Sequence, residues 1–327
     1  MLPNRAHTFR AMNTECSTAG LSSSAQRRVE AWFTYVEQKA SRFRPDSELM
    51  QINQSQAPLY FVSLLIYQLL QEAETYFRRT DGVFSPYLGR CIHALGYTKS
   101  FENIPQVTSA TIVDLNLNEE KTYCHTKQIY TRRNSRSYPP IQIDGDAWID
   151  LGGIAKGWSV QTMGEWLQKE GQAEGVLNAG GDLLAWRSEE SREPWTVHLL
   201  APHTGDRAIA RLEMRSGRTA LATSSTQKRR WRKATGEVVH HIIDPRIHQS
   251  SASDIVQASV LLPDLTAAEV YAKCLIILGM QRGITWLRKE KPEAAYILVK
   301  KDGTVERSAN LDTYCTEYEV SKHVECF

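Results

Sequence analysis

Apolar residues along the chain switch between a helical and a strand period, and the switches predict the elements. His7–Met12 alternates as a short strand. Val29, Trp32, Phe33 and Val36 then fall three or four apart behind candidate caps at Ser22–Ser24, which predicts an amphipathic helix. Ser41–Leu49 breaks it with a turn, and Glu48-Leu49 with Ile52-Asn53 restarts a short helix. Leu65, Ile66, Leu69, Ala73, Tyr76 and Phe77 form the buried stripe of a longer helix over Val62–Arg79. It stops at Thr80-Asp81-Gly82, where glycine accepts a left-handed cap. Val83–Pro86 is extended, since proline restricts the residue before it, and Leu88–Leu95 predicts another short helix.

The stretch Ile104–Pro140 is polar, with strand-like pieces at Thr111–Leu115 and Thr122–Tyr130. Beyond it, Ser159–Leu167 has helical periodicity. Gly175–Leu184 predicts two strands flanking a glycine turn. Trp195–Leu200, Ala208–Met214, Val238–Ile243, Ile255–Leu262 and Ala295–Val299 read as strands. Thr266 is the expected cap of a helix through Leu278 that ends at Gly279, Ile284–Lys289 is a short helix, and Lys301-Asp302-Gly303 is a hairpin turn. Hairpin-linked strands with separate helices predict an α+β fold with mixed or antiparallel sheets. The expected organisation is a single domain over 1–327, with Pro139-Pro140 marking a candidate sub-domain break near 131–141.

Composition narrows the class. The 327 residues are 42% hydrophobic and 23% charged, enough to bury a core, and the net charge of +2 gives no global case for nucleic acid. Six cysteines are scattered without a C-x-x-C pair, which argues for reduced structural thiols and against zinc. The N-terminus has no apolar segment of the secretory kind, and no stretch reaches the ~20 apolar residues of a membrane span. The expectation is a cytoplasmic protein.

Unusual chemistry concentrates in Asp150-Leu151-Gly152-Gly153-Ile154-Ala155-Lys156-Gly157-Trp158. A carboxylate, three glycines and a lysine lie at the start of a helix, where backbone N–H groups suit a phosphate or pyrophosphate. A tight turn with a surface lysine is the alternative. Asn178-Ala179-Gly180-Gly181-Asp182 allows close backbone approach to a ligand, or is an ordinary hairpin. Thr223-Ser224-Ser225-Thr226 places hydroxyls after a strand, where they could hold phosphate oxygens or cap a loop. Lys228–Lys233, with Trp231 inside, mimics a nucleic-acid patch, although the near-neutral chain favours a solvated face. His240 and His241 flank a strand end next to Asp244; alternation points them to opposite faces, so one could act as a general base while a zinc site is disfavoured. Glu269 and Lys273 stand at ion-pair spacing on the late helix.

Taken in order, Ala11-Met12-Asn13-Thr14, Ser41-Arg42-Phe43, Thr80–Pro86, Asp150–Gly157, Asn178–Asp182, Ala222-Thr223-Ser224 and His241–Arg246 closely resemble the ApbE family of FAD:protein FMN transferases. The resemblance implies the ApbE-like fold and a reaction in which FMN passes from FAD to a threonine or serine of a target flavoprotein, forming a phosphodiester and releasing AMP. FAD hydrolysis and flavin carriage without transfer are the alternatives. It implies FAD as substrate, Mg²⁺ as metal, a target flavoprotein as partner, and neither nucleic acid nor membrane span. Carried over by position, Met12, Phe84, Ser85 and Pro86 would line the flavin or adenine pocket. Asp150 would contact FAD, Lys156 would sit near the phosphates, and Thr223 and Ser224 would hold the pyrophosphate. His241, with His240 in reserve, would activate the acceptor hydroxyl. The Gly153 carbonyl, Glu269 and Lys273 would occupy the metal-ligand positions, although a protonated lysine cannot ligate. The chain departs from the family pattern at Asn13 and at Ile247-His248, where Gly and Thr-Gly are usual. It also departs at Ser85, where Asp is usual, and at Glu269 and Lys273, where Asp and Thr are usual.

Overall fold

The strand pattern resolves into one wide antiparallel sheet. The computed structural model describes residues 6–55, 57, 59–103, 107–108, 129–131, 139–143, 148–191, 193–202, 207–233 and 235–325. The chain divides into two compact units: Met1–Phe33, Lys156–Lys228 and Ala252–Phe327 form the first, and Thr34–Ala155 with Arg229–Ser251 the second. The expected strand at Thr111–Leu115 lies outside the described residues, as do most of Thr122–Tyr130 and residues 132–138 of the candidate break.

In the first unit eight strands pair antiparallel throughout. Their order is His7–Ala11, Thr14–Ala19, Gly175–Ala179, Asp182–Arg187, Gly217–Ser225, Ile255–Leu262, Ala295–Lys300 and Val305–Arg307. One face packs on a second antiparallel sheet of Thr196–Leu200, Ala208–Met214 and Cys315–Val320. Val176, Ala185, Leu221, Val256 and Ile297 meet Leu199, Ile209, Leu212 and Met214 there. The other face carries helices. Leu265–Leu278 lies on Gly217–Ser225 and Ile255–Leu262, and Gly164, in the helix Ala155–Lys169, sits over Leu177 and Leu184. Ile255–Leu262 is buried at every position because both faces of the sheet are covered, which is why its sequence is a continuous apolar run rather than an alternation.

The late helix is capped by Asp264, whose side chain accepts the Ala267 N–H at 2.8 Å. Thr266, the expected cap, is buried inside the helix instead. Asp264 starts the helix earlier because a carboxylate accepts from a first-turn N–H at least as well as a hydroxyl does. Gly279 ends it at φ 77°, as expected. The hairpin at Lys301–Gly303 also forms, with Gly303 at φ 84°.

The second unit holds the helices Glu48–Gln54, Leu64–Arg79 and Gly89–Ala94 and the last part of Ser23–Ala40. Its small sheets are Leu59–Phe61, Pro140–Ile143 and Ile129–Thr131; the antiparallel pair Ile243–Asp244 and Gln249–Ser250; and Val238–His240, Arg230–Lys233 and Val107–Thr108, of which the last two strands are parallel. Leu88, Ile92, Tyr97, Trp231, Val239 and Ile243 form one buried cluster in it, and the helix Leu64–Arg79 buries Ile66, Leu69, Leu70 and Ala73. Arg230–Lys233 of the basic run is a strand with Trp231 inward, its indole N–H on the Leu95 carbonyl at 2.6 Å. That accounts for the aromatic residue without a nucleic acid. Among the described residues no helix is long and apolar enough to cross a membrane.

Candidate functional site

In the first unit, long-range contacts gather charged groups from three elements. Lys156 stands in the first turn of its helix and pairs with the Asp182 carboxylate and with Glu269 Oε1 at 3.1 Å. Lys273, one helical turn beyond Glu269, places its ammonium 2.9 Å from the same Oε1. Glu269 Oε2 accepts the Gly157 N–H at 2.7 Å. Asp182 Oδ1 accepts the Thr223 N–H at 3.2 Å. Glu269 is wholly buried and Asp182 nearly so. Burial pushes the Glu269 carboxyl up, but the ammonium groups of Lys156 and Lys273 and the Gly157 N–H outweigh it and hold the group well below the ordinary range.

Local structure explains each placement. Gly180-Gly181, at φ 65° and 100°, makes a two-residue turn between paired Ala179 and Asp182. This is the hairpin alternative, in a turn type that wants positive φ at both positions. The turn sets Asp182 at the end of its strand, where its carboxylate continues the hydrogen bonding of Gly217–Ser225 past the last backbone partner, Leu183. Gly157 admits the late helix: a Cβ there would lie 2.8 Å from the Leu265 carbonyl and 2.9 Å from Glu269 Oε2. The first-turn N–H of Gly157, expected to face a phosphate, is thus satisfied by a carboxylate of the protein itself.

The hydroxyl run is not a loop after a strand. Thr223, Ser224 and Ser225 complete the strand Gly217–Ser225. Thr223 Oγ1 bonds its cross-strand partner Ser259 at 2.9 Å. Alternation puts Thr223 with Leu221, on the face covered by the smaller sheet, and Ser224 on the helix-bearing face with Leu184 and Asp182. One phosphate therefore cannot take both hydroxyls directly. Met12 and Asn13, at φ 51° and 60°, form the two-residue turn between His7–Ala11 and Thr14–Ala19.

In the second unit, the segment entering the glycine turn is clamped. Asn53 donates to the Ile149 carbonyl and accepts its N–H, both at 2.8 Å. The Asp150 N–H donates to the Pro86 carbonyl at 2.8 Å. Asp150 Oδ1 accepts the Gly152 N–H at 2.7 Å, and Oδ2 faces Arg42 Nε at 3.3 Å. Arg42 also donates to the Tyr97 carbonyl at 2.6 Å and lies over the rings of Phe43 and Tyr97. Phe84 and Pro86 are buried and Ser85 partly so, its Oγ accepting the Tyr87 N–H at 3.2 Å. Gly153 lies in the turn that precedes the helix. Arg42 is a polar group at this turn that its sequence context alone does not mark as functional. Its signal in the sequence is an arginine between turn-forming Ser41 and aromatic Phe43.

The two histidines separate chemically. The expected strand Val238–Ile243 breaks after His240, so strict alternation does not govern them. His240 Nε2 meets the Ser251 carbonyl at 3.0 Å, and its Nδ1 meets the Ile242 N–H at 3.3 Å. A carbonyl only accepts, so Nε2 carries the proton, and both ring nitrogens are committed to the loop. His241 Nδ1 meets the Arg229 carbonyl at 3.4 Å. By the same logic that contact takes the tautomer with its proton on Nδ1. Asp244 takes Arg246 through both carboxylate oxygens, at 2.8 and 2.6 Å.

The residues at the metal positions do not fit a divalent cation. Both oxygens of Glu269 are engaged, one by two ammonium groups. Among the described residues no three His, Cys, Asp or Glu side chains converge to hold a metal.

Fold and geometry define a two-unit α+β protein whose first unit gathers two lysines and two carboxylates beside a glycine turn. The ApbE family profile matches residues 12–298, and the chain belongs to the ApbE family. It is 24% identical over 290 residues to the FAD:protein FMN transferase of Vibrio cholerae, covering 88% of this chain and 84% of that one. The FAD:protein FMN transferase of Salmonella typhimurium is 23% identical over 285 residues, covering 86% and 78%. Among solved structures, the ApbE protein of Thermotoga maritima superimposes with a TM-score of 0.78 at 21% identity, covering 96% of this chain and 99% of that one. The flavin transferase ApbE of Vibrio cholerae gives 0.74 at 21% identity, covering 95% and 100%.

Proposed function

We propose that this chain is a FAD:protein FMN transferase, moving FMN from FAD to a threonine or serine of a target flavoprotein and releasing AMP. The observation that carries the reading is the family match over residues 12–298, which spans every one of the clusters described above. In this reading the acceptor hydroxyl oxygen bonds to the phosphorus of the FMN half. The bond from that phosphorus to the bridging oxygen breaks, and AMP leaves with that oxygen and its electron pair. His241 Nε2 takes the hydroxyl proton. Lys156 supplies positive charge at the pyrophosphate, where charge accumulates on the leaving group. Asp150, oriented by Arg42, contacts FAD; Met12, Phe84, Ser85 and Pro86 line its rings. Ser224 offers its hydroxyl to a phosphate oxygen, and Thr223 acts through its N–H on Asp182. Cys16, Cys91, Cys274 and Cys315 are buried thiols, which suits a reducing, cytoplasmic compartment.

Incubation with FAD and an acceptor protein carrying an Asp-x-x-Thr/Ser-Gly type motif tests this. Acceptor mass and AMP are followed together. A mass gain of one FMN with matching AMP is expected. AMP without a mass gain would replace transfer by hydrolysis, and retained FAD without AMP would leave a flavin carrier. His241→Ala should lower AMP release by about 10²–10⁴-fold while FAD still binds; an unchanged rate would remove His241 from the chemistry.

A further inference from the structure

We infer that the Lys273 ammonium stands where the ApbE pattern places a divalent cation, so that this chain meets its anionic ligand with two fixed ammonium groups and no metal at Glu269. The inference rests on the FAD-transfer reading only for the identity of the anion.

Charge balance carries it. Lys156 and Lys273 contribute two positive charges, and Asp182 and Glu269 two negative ones, so the cluster is neutral as it stands. A neutral residue at 273 would leave Lys156 against two carboxylates, a net charge of −1 that attracts a cation. Lys273 removes that attraction. Geometry points the same way. Glu269 Oε1 already accepts from Lys156 at 3.1 Å and Lys273 at 2.9 Å, and Oε2 accepts from Gly157 at 2.7 Å. A Mg²⁺ ion needs a carboxylate oxygen at about 2.1 Å. Bound to Oε1, it would lie within a few ångström of both ammonium groups and displace at least one. Glu269 and Lys273 sit one helical turn apart on Leu265–Leu278, so the pair needs no loop movement to form. Lys156 and Lys273 are each about one-sixth exposed while Glu269 is fully covered. The cations can reach a ligand; the carboxylate serves to hold them.

The test titrates the intact protein with Mn²⁺ by electron paramagnetic resonance, alone and with FAD, and measures AMP release in EDTA and in MgCl₂. The wild-type protein is expected to show no Mn²⁺ site that depends on Glu269, and an AMP rate that EDTA leaves unchanged. Lys273→Thr should bind Mn²⁺ at least about tenfold more tightly than wild type and lose AMP release in EDTA, with recovery in MgCl₂. Lys273→Met is the parallel variant, since it removes the charge and keeps the packing of the stem. A wild-type Mn²⁺ site abolished by Glu269→Gln, or AMP release stopped by EDTA, would overturn the inference. Absence of FAD binding and AMP under every condition would defeat the transfer reading instead, and the Mn²⁺ titration of the protein alone would still decide the metal question.

Discussion

Single backbone positions record how this chain departs from its family. Asn13 and His248 stand where ApbE sequences usually carry glycine, and they keep the glycine conformation, at φ 60° and 55°. Asparagine visits this region readily; a longer side chain does so at a cost. Met12, beside Asn13, is at φ 51°, which for a bulky residue is a strained position of the kind that persists at binding sites. Met12→Gly should therefore raise stability by about 1 kcal/mol, because relief of strain exceeds the added freedom of the unfolded chain. The same substitution should weaken FAD binding, since the side chain proposed to cover the rings is gone. Urea denaturation and flavin fluorescence titration check the two halves. A less stable Met12→Gly protein would mean that Met12 packing outweighs the strain. None of this was legible in the residues alone: Met12-Asn13 carries no glycine to announce a left-handed turn, and only the pairing of Ala11 with Thr14 imposes it.

At the level of elements, periodicity served well where one period held and failed where a side chain intervened. Leu64–Arg79 and Ile255–Leu262 were legible because each keeps one pattern for its whole length. Val238–Ile243 was read as one strand, yet His240 accepts the Ile242 N–H on its own ring and ends the ladder early. A local side-chain bond of this kind competes with the sheet and leaves no mark on the hydrophobic pattern. The glycine turn before Lys156 was legible as special, and packing gives the glycine after Lys156 a reason that the pattern did not show. Gly157 is where the helix Ala155–Lys169 receives Leu265 and Glu269. Gly157→Ala should force that contact apart and strand the Glu269 carboxylate without its N–H partner, at a cost of about 2 kcal/mol or more. Thermal denaturation measures it. A stability equal to wild type would show that the contact between the helices relaxes freely.

Across the whole chain, the charged corner joins residues 156, 182, 223, 269 and 273, brought together by the long-range order of the eight-stranded sheet and the helices on it. Such a network follows from topology, so spacing alone revealed only its Glu269–Lys273 piece. Its burial also makes it a determinant of acid stability. The Glu269 carboxyl is held at about 2 in the folded chain against an ordinary value of 4.5. A depressed folded value stabilises the protein at pH above the ordinary value, and that stabilisation is lost as pH falls from 4.5 toward 2. Glu269→Gln removes the carboxylate while leaving two ammonium groups against Asp182 alone, so it should cost about 3 kcal/mol at neutral pH. The gap between wild type and Glu269→Gln should then be widest above pH 5 or so, narrowing below about pH 4.5 as the wild-type carboxyl gains its proton. Melting temperatures of both proteins from pH 7 to pH 2 check this directly. A gap that stayed constant through the acid range would mean that Glu269 contributes by shape and hydrogen bonding rather than by charge. It would also weaken the argument that the corner is neutral because Glu269 is ionised.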